Sequence, residues 1–424
     1  MEIAIPYKLK LDNAANIYPA SMSKHYSSLY RMSVTMTDHV DTDILQAALA
    51  RVSERIPTFR CTLKAGAFWW YLHRVEKDPA VCDLKPLRRF RLKDQNGLLY
   101  RVSAAGKVIS LDVFHALTDG FGAITFLLTL VGEYIRKRYG VETGYNNLVL
   151  DPSENASFSE VEDSFKAVFS GRKGELEKNV DAYHIKGTAL EHDAVKDCRV
   201  VMPMENIKQA CSDYGCTVTD FLVSVILWAL QKQHAADEKA ARSVLKVSVP
   251  VNLRPIYKTR TLRNFSSYVN LGIDVKYGDM SFDDIVRLVK TQKEHDLQLE
   301  NLEPKIAANV ELEEMLLVRC LPLMIKHPII DIINLLHGDR FCSQTMSNLG
   351  NVNIPEAMRQ YISDVDFILG RQRGNSGACS CAGYNGNLYF HLTRKIAEDT
   401  FEQAFIDQLA ALGIPTQVTV SNLA

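Results

Sequence analysis

His115 and Asp119 stand four residues apart in Val108–Leu128, VISLDVFHALTDGFGAITFLL, where an apolar stretch turns sharply at Gly120 into a second apolar stretch. A neutral imidazole is a good proton acceptor near pH 7, because its unperturbed pKa is about 6.5. At a strand end it projects into whatever cleft lies beyond the sheet. The Asp119 carboxylate can orient the ring, or it can turn away and pin the loop. The same six residues, HALTDG, also suit a capped turn with a satisfied histidine, so the pair alone does not decide between chemistry and architecture. Other reactive patterns are absent. There is no GxxxxGK[ST], HExxH or GxSxG, and GNSG at 374–377 fails the last. Triphosphate, zinc-protease and serine-hydrolase chemistry are therefore disfavoured.

The elements that must hold His115 are legible. LLYRVSAAGKVISLDVFH reads as a hairpin turning near Ala105-Gly106. Its outgoing strand puts Ile109, Leu111, Val113 and His115 on one face. From Gly120 to Arg138 the pattern is helical. Upstream, Met32–Thr37 reads as a strand. Asp41 precedes a helix ended by Pro57, and FRCTLKAGAFWWYLHRV reads as a second hairpin turning near Ala65-Gly66. Residues 151–199 are polar and mixed, which suits a crossover between halves. Beyond it come a strand at Arg199–Met202 and a helix capped by Thr217 with Asp220 at its third position. The strand SVLKVSVPVNLRP and a largely helical stretch at 281–337 follow. The last third returns to strands in TMSNLGNV, ISDVDFILG and GACSCAGYNGNLYFHLTR, with a hairpin at Tyr384–Asn387, then a helix near 398–412 and TQVTVS. The two halves share this coarse order, so the fold class is α/β in two lobes, expected at 1–175 and 176–424.

The 424 residues carry 49 basic and 50 acidic side chains and are 47% hydrophobic. A balanced charge gives no electrostatic ground for nucleic acid or an anionic membrane. Nine cysteines form no CxxC pair, and Cys379 and Cys381 are too close to bridge. Buried thiols in a reducing compartment fit better than a zinc site or a disulfide framework. MEIAIPYKLK lacks the charged and apolar regions of a signal peptide. The longest apolar helical run, Phe221–Leu230, is far shorter than a membrane span. A soluble cytoplasmic protein is expected.

The strand–HxxxDG–helix unit resembles the HxxxD-type acyltransferase superfamily, which includes chloramphenicol acetyltransferase, condensation domains of peptide synthetases, plant BAHD enzymes and alcohol acetyltransferases. GAFWWYL at 66–72, VPVNLR at 249–254, TLRNF at 261–265 and SNLGNV at 347–352 follow in the order of the bacterial stand-alone branch. Phe114 stands where condensation domains carry a second histidine. DFILGR at 366–371 shares only its first two residues and a glycine with the plant DFGWG. The resemblance implies two chloramphenicol-acetyltransferase-like lobes as a pseudo-dimer, with a tunnel between them and His115 at its centre. It implies His115 as general base in direct transfer without an acyl-enzyme. Asp119 would be structural, paired with Arg254, and Ser347 or Asn348 would donate to the oxyanion. Strand alternation lets only one of those two point inward. No permanent cofactor and no metal is implied. Acyl-CoA would be co-substrate to an alcohol or amine acceptor, an acyl carrier protein is the alternative donor, and a silent binding member of the fold is a third reading.

Overall fold

The computed structural model describes residues 8–23, 26–87, 97–175, 180–337 and 339–423. Residues 1–7 of the N-terminal stretch and 176–179 at the expected start of the second lobe lie outside them. In chain order the strands are β1 (Lys8–Lys10), β2 (Leu29–Met36), β3 (Cys61–Ala65), β4 (Trp70–Arg74), β5 (Val81–Asp83), β6 (Tyr100–Ala105) and β7 (Val108–Phe114). The second half supplies β8 (Lys196–Pro203), β9 (Val244–Asn252), β10 (Ser266–Asp274), β11 (Gln344–Asn351), β12 (Ile362–Leu369), β13 (Gly377–Tyr384), β14 (Asn387–Arg394) and β15 (Gln417–Asn422).

Two large sheets carry the fold. The first runs β12-β2-β7-β6-β5, and the second runs β10-β9-β11-β13-β14-β8-β15. Ile109, Leu111 and Val113 of β7 bury against the helices Thr42–Arg55 and Gly120–Tyr139 in the first core. The opposite face of β7 is covered as well. There Asp112, fully buried, is held by Arg31 at 2.6 Å and Arg101 at 2.5 Å, so a carboxylate sits inside the sheet with its charge met twice. Helices Val218–Ala235, Phe282–Asp296 and Thr400–Ala411 cover the second sheet, with Phe221, Ile285 and Phe405 in its core. Thr217 and Asp220 form the reciprocal cap read in the sequence.

The two-lobed α/β architecture is as expected, with one strand that crosses between the halves. β12, from the C-terminal part of the chain, pairs antiparallel with β2 and forms the edge of the first sheet. Its other side rests on the second sheet, where Ser380 Oγ donates to the Phe367 carbonyl at 2.6 Å. Val365 and Phe367 are buried in the first core, and the pairing covers the hydrogen-bonding edge that β2 would otherwise expose. Six of the nine cysteines are buried, as read, but Cys82 and Cys216 are half-buried and Cys320 is exposed. No single described helix is long and apolar enough to cross a membrane.

Candidate active site

β7 ends at Phe114, and the chain then makes the turn His115–Asp119. The backbone N–H of His115 donates to the Ser28 carbonyl at 2.8 Å and fixes where the side chain leaves the sheet. Asp119 is the N-cap of helix Gly120–Tyr139, accepting from the Gly122 N–H at 3.2 Å. This satisfies one of the four donors that a helix start leaves unpaired. Gly122 must lack a side chain. A Cβ there would lie 2.0 Å from Thr118 Oγ1 and 2.2 Å from the Leu262 carbonyl.

That close approach brings in the loop after β9. Residues 261–265 lie along the turn and pair with its polar groups in succession. Thr118 Oγ1 donates to the Leu262 carbonyl at 2.5 Å, and the Phe265 N–H donates to Asp119 Oδ2 at 2.9 Å. Asn264 Oδ1 is 3.1 Å from His115 Nδ1. The Arg254 guanidinium grips Asp119 with both ends, at 2.8 and 3.0 Å. Its remaining donors reach the carbonyls of Thr261 at 2.7 Å and Arg263 at 2.5 Å and the Asn252 Oδ1 at 3.2 Å, and its cation lies over the Phe121 ring at 4.6 Å. Both partners are buried, and the fork geometry is the strong form of such a pair. Asp119 therefore spends its oxygens on Arg254 and two backbone N–H groups. The ring's polar partner is Asn264.

The imidazole is half-buried and sandwiched. Tyr18, on the short helix Ile17–Ser21, stacks on it with centroids 4.3 Å apart and planes at 19°. Tyr30 of β2 meets it edge-on at 5.1 Å. The Tyr30 hydroxyl donates to the carbonyls of Thr118 and Asp119, which ties β2 to the turn. Burial pushes the His115 pKa below its ordinary 6.5, outweighing the Asp119 charge and the Asn264 hydrogen bond, so the ring is neutral at pH 7. A surface cleft is lined by Lys10, Trp69, Trp70, Lys166, Glu313, Glu314 and Arg319 among others; it takes in two residues of GAFWWYL and none of His115, Asp119, Arg254, Ser347 and Asn348.

Ser347 and Asn348 part company across β11. Met346 lies in the second core, and β11 pairs in register with Cys379, Ser380 and Cys381 of β13. Ser347 thus shares the face of Ser380, which looks towards β12 and the first lobe. Its face-mate Leu349 reaches within 3.0 Å of where a Cβ on Gly120 would stand. Asn348 turns the other way, where Nδ2 donates to Thr219 Oγ1 at 3.1 Å and Oδ1 accepts from the Gly350 N–H at 2.7 Å. The structure therefore gathers His115, Asp119 and Arg254 at one point and separates the two oxyanion candidates. Sequence reasoning had marked TLRNF only as a signpost. It missed Asn264 as the partner of the ring, along with Tyr18 and Tyr30 as its walls.

Among the described residues no group of three His, Cys, Asp or Glu side chains is placed to hold a metal ion. No family model matches the chain, and no curated protein matches it. Solved structures do. The fold is that of the two-lobed acyltransferases and condensation domains. Polyketide synthase associated protein 5 from Mycobacterium tuberculosis superposes with a TM-score of 0.66 at 16% identity, over 96% of this chain and 98% of that one. TRI101 of F. sporotrichioides, solved with coenzyme A and T-2, gives 0.62 at 11%, over 99% of this chain and 100% of that one. The first condensation domain of the CDA synthetase gives 0.59 at 14%, over 96% of each chain.

Proposed function

We propose that the chain is an acyltransferase that moves an acyl group from acyl-CoA to an alcohol or amine, with His115 as general base. The observation that carries this reading is a neutral, half-buried imidazole at the turn from β7 into helix Gly120–Tyr139, engaged through Nδ1, which leaves Nε2 for an acceptor. The acceptor hydroxyl gives its proton to Nε2 as its oxygen attacks the thioester carbonyl carbon. The carbonyl π-bond closes onto oxygen, and the Ser347 hydroxyl donates to that oxyanion. Collapse reforms the carbonyl and breaks the C–S bond, and the imidazolium returns its proton to the leaving thiolate. Asp119 and Arg254 serve as scaffold, since both carboxylate oxygens are committed to Arg254 and backbone. Thiols that form no disulfide among the described residues suit a reducing compartment, and we place the reaction in the cytoplasm.

The test is free-thiol release from acetyl-CoA over a panel of alcohols and amines. His115→Ala should lose about 10²–10⁴-fold in rate, the usual worth of a general base, with its melting temperature kept. Equal rates for variant and parent end the assignment of the base. Turnover only with a thioester on a carrier-protein arm would replace CoA as donor and leave the base in place.

A further inference from the structure

An imidazole has two nitrogens, and only the one without a proton can be the base. Buried groups of fixed hydrogen-bonding role decide which nitrogen that is. Asp12 is buried at the head of the turn Ala14–Asn16, where Oδ1 accepts from the Ala15 N–H at 2.8 Å and Oδ2 lies 3.6 Å from the Arg263 guanidinium. Asn264, equally buried, stands between Asp12 and the ring. Its Nδ2 is 3.3 Å from Asp12 Oδ2, and its Oδ1 is 3.1 Å from His115 Nδ1. An ionised carboxylate can only accept, so the amide must turn its NH2 group to Asp12. Its oxygen then faces the ring, and an oxygen can only be met by a proton on Nδ1. The lone pair is thereby left on Nε2.

We propose that Asp12 and Asn264 are positioning residues that hold His115 in its Nε2-basic tautomer, the charge on Asp12 setting the direction of the amide between them. This rests on the general-base reading above. The surroundings make that charge adjustable near neutrality. Burial raises the Asp12 carboxyl, Arg263 opposes the rise and Asp163 adds to it, and the group titrates at about 7. Asp163 in turn faces Lys166 at 3.6 Å, which also pairs with Glu313 at 2.6 Å. On the other side His115 faces the rings of Tyr18 and Tyr30, and the Asp119 charge that Arg254 meets. Protonated Asp12 can donate to the amide oxygen. The amide then turns over, presents NH2 to Nδ1, and favours the proton on Nε2, where the base is lost. The residue's own backbone also favours a protonated ring nitrogen, so the relay weights the tautomer and does not switch it completely.

The full chain labelled with ¹⁵N-histidine reports the tautomer directly in two-bond ¹⁵N–¹H spectra, the His115 signals being those missing from His115→Ala. The native protein should show Nδ1–H at pH 8, with Nε2–H growing in the neutral ring as the pH falls towards 7. Asp12→Asn, close in shape, and Asn264→Ala should both show a mixture at pH 8. Their kcat at pH 8 should fall by about 10–100-fold, within the 10²–10⁴-fold that a general base supplies, with KM within about twofold. The acid limb of the kcat profile should lie near pH 7 in the native enzyme and move lower in Asp12→Asn. A merely structural role would not move that limb. An Nε2–H tautomer in the native protein at pH 8, or a tautomer and pH limb unchanged in the variants, overturns the relay. The native titration alone decides the matter if neither variant folds. The spectra do not depend on turnover, so a failed general-base reading, seen as an active His115→Ala, is told apart from a failed relay.

Discussion

Removing Asp119 or Arg254 singly should cost more than removing both, relative to the sum, and the structure sets the expected sizes. Arg254→Ala leaves the Asp119 carboxylate buried, with the Gly122 and Phe265 N–H groups as its remaining partners. Orphaning one member of a buried pair costs roughly 3–5 kcal/mol. Asp119→Ala leaves the guanidinium with the carbonyls of Thr261 and Arg263, the Asn252 amide oxygen and the face of Phe121, which disperse its charge only in part. It also removes a helix cap, worth about 1 kcal/mol, and leaves the Phe265 N–H without its acceptor at about 1–3 kcal/mol. Asp119→Ala should therefore be the more damaging single change. The double variant leaves no buried charge and should fall short of additivity by about 1–3 kcal/mol. Because a domain holds only about 5–15 kcal/mol in all, Asp119→Asn belongs in the set as the version that keeps the cap and loses the charge.

Urea midpoints followed by tryptophan fluorescence, with acetyl-CoA thiol release on the same preparations, read both quantities. Stability and activity should fall together in the Asp119 and Arg254 variants. In His115→Ala activity should fall alone. Additivity to within about 0.5 kcal/mol would refute the pairing argument. So would an Asp119→Asn protein of native stability and no activity, which would return Asp119 to a direct role at the ring.

Two further outcomes test other parts of the site and its frame. Ser347→Ala should lower kcat by about 10²–10³-fold, the usual worth of one oxyanion donor, and leave the urea midpoint unchanged. Asn348→Ala should do the reverse in kind, loosening the Thr219 contact with kcat nearly kept, and a larger kcat loss in Asn348→Ala would exchange their roles. His391 of β14 is buried between Asp197 at 2.9 Å and Asp366 of β12 at 3.0 Å, where it clasps the two sheets. Burial alone would lower its pKa, but the two carboxylates outweigh burial and raise it to about 9. A raised pKa means that the proton binds the folded state more tightly. The clasp should therefore contribute fully below pH 6.5, weaken as the pH rises, and be gone above about 9. Urea midpoints from pH 6 to 10 should show this decline in the native protein and lose that part of it in His391→Gln; an identical decline in both would refute the clasp.

What could be read from the sequence was what a short window contains. The hairpin leading to β7, the Thr217 cap, and the strand-turn-helix around His115 depend on residues a few positions apart, so period and capping chemistry expose them. Arg254 came from resemblance, because no window holds it with Asp119, 135 positions away. β12 was visible as a strand, but its partner was not. Alternation specifies which residues share a face and leaves open the strand it joins, and here that strand lies in the other half of the chain.

Ser347 and Asn348 show the same limit at the scale of one residue. Alternation required them to diverge, and only the packing of Met346 into the second core says which way. Asn264 is the sharper case. It stood inside a stretch already singled out, flanked by an arginine and a phenylalanine that fit an ordinary loop. Asp12 reads locally as the cap of a single turn, a role it does fill through the Ala15 N–H. Each has a sufficient local explanation, and neither local explanation mentions the histidine. Their joint role exists only where three segments meet, His115 and Asn264 standing 149 positions apart and Asn264 and Asp12 252 apart. The base can be found from its own turn. The proton that must be kept off it is governed from two distant segments of the chain, and a pH limb near 7 that moves with Asp12 is the signature by which that division of labour would be seen.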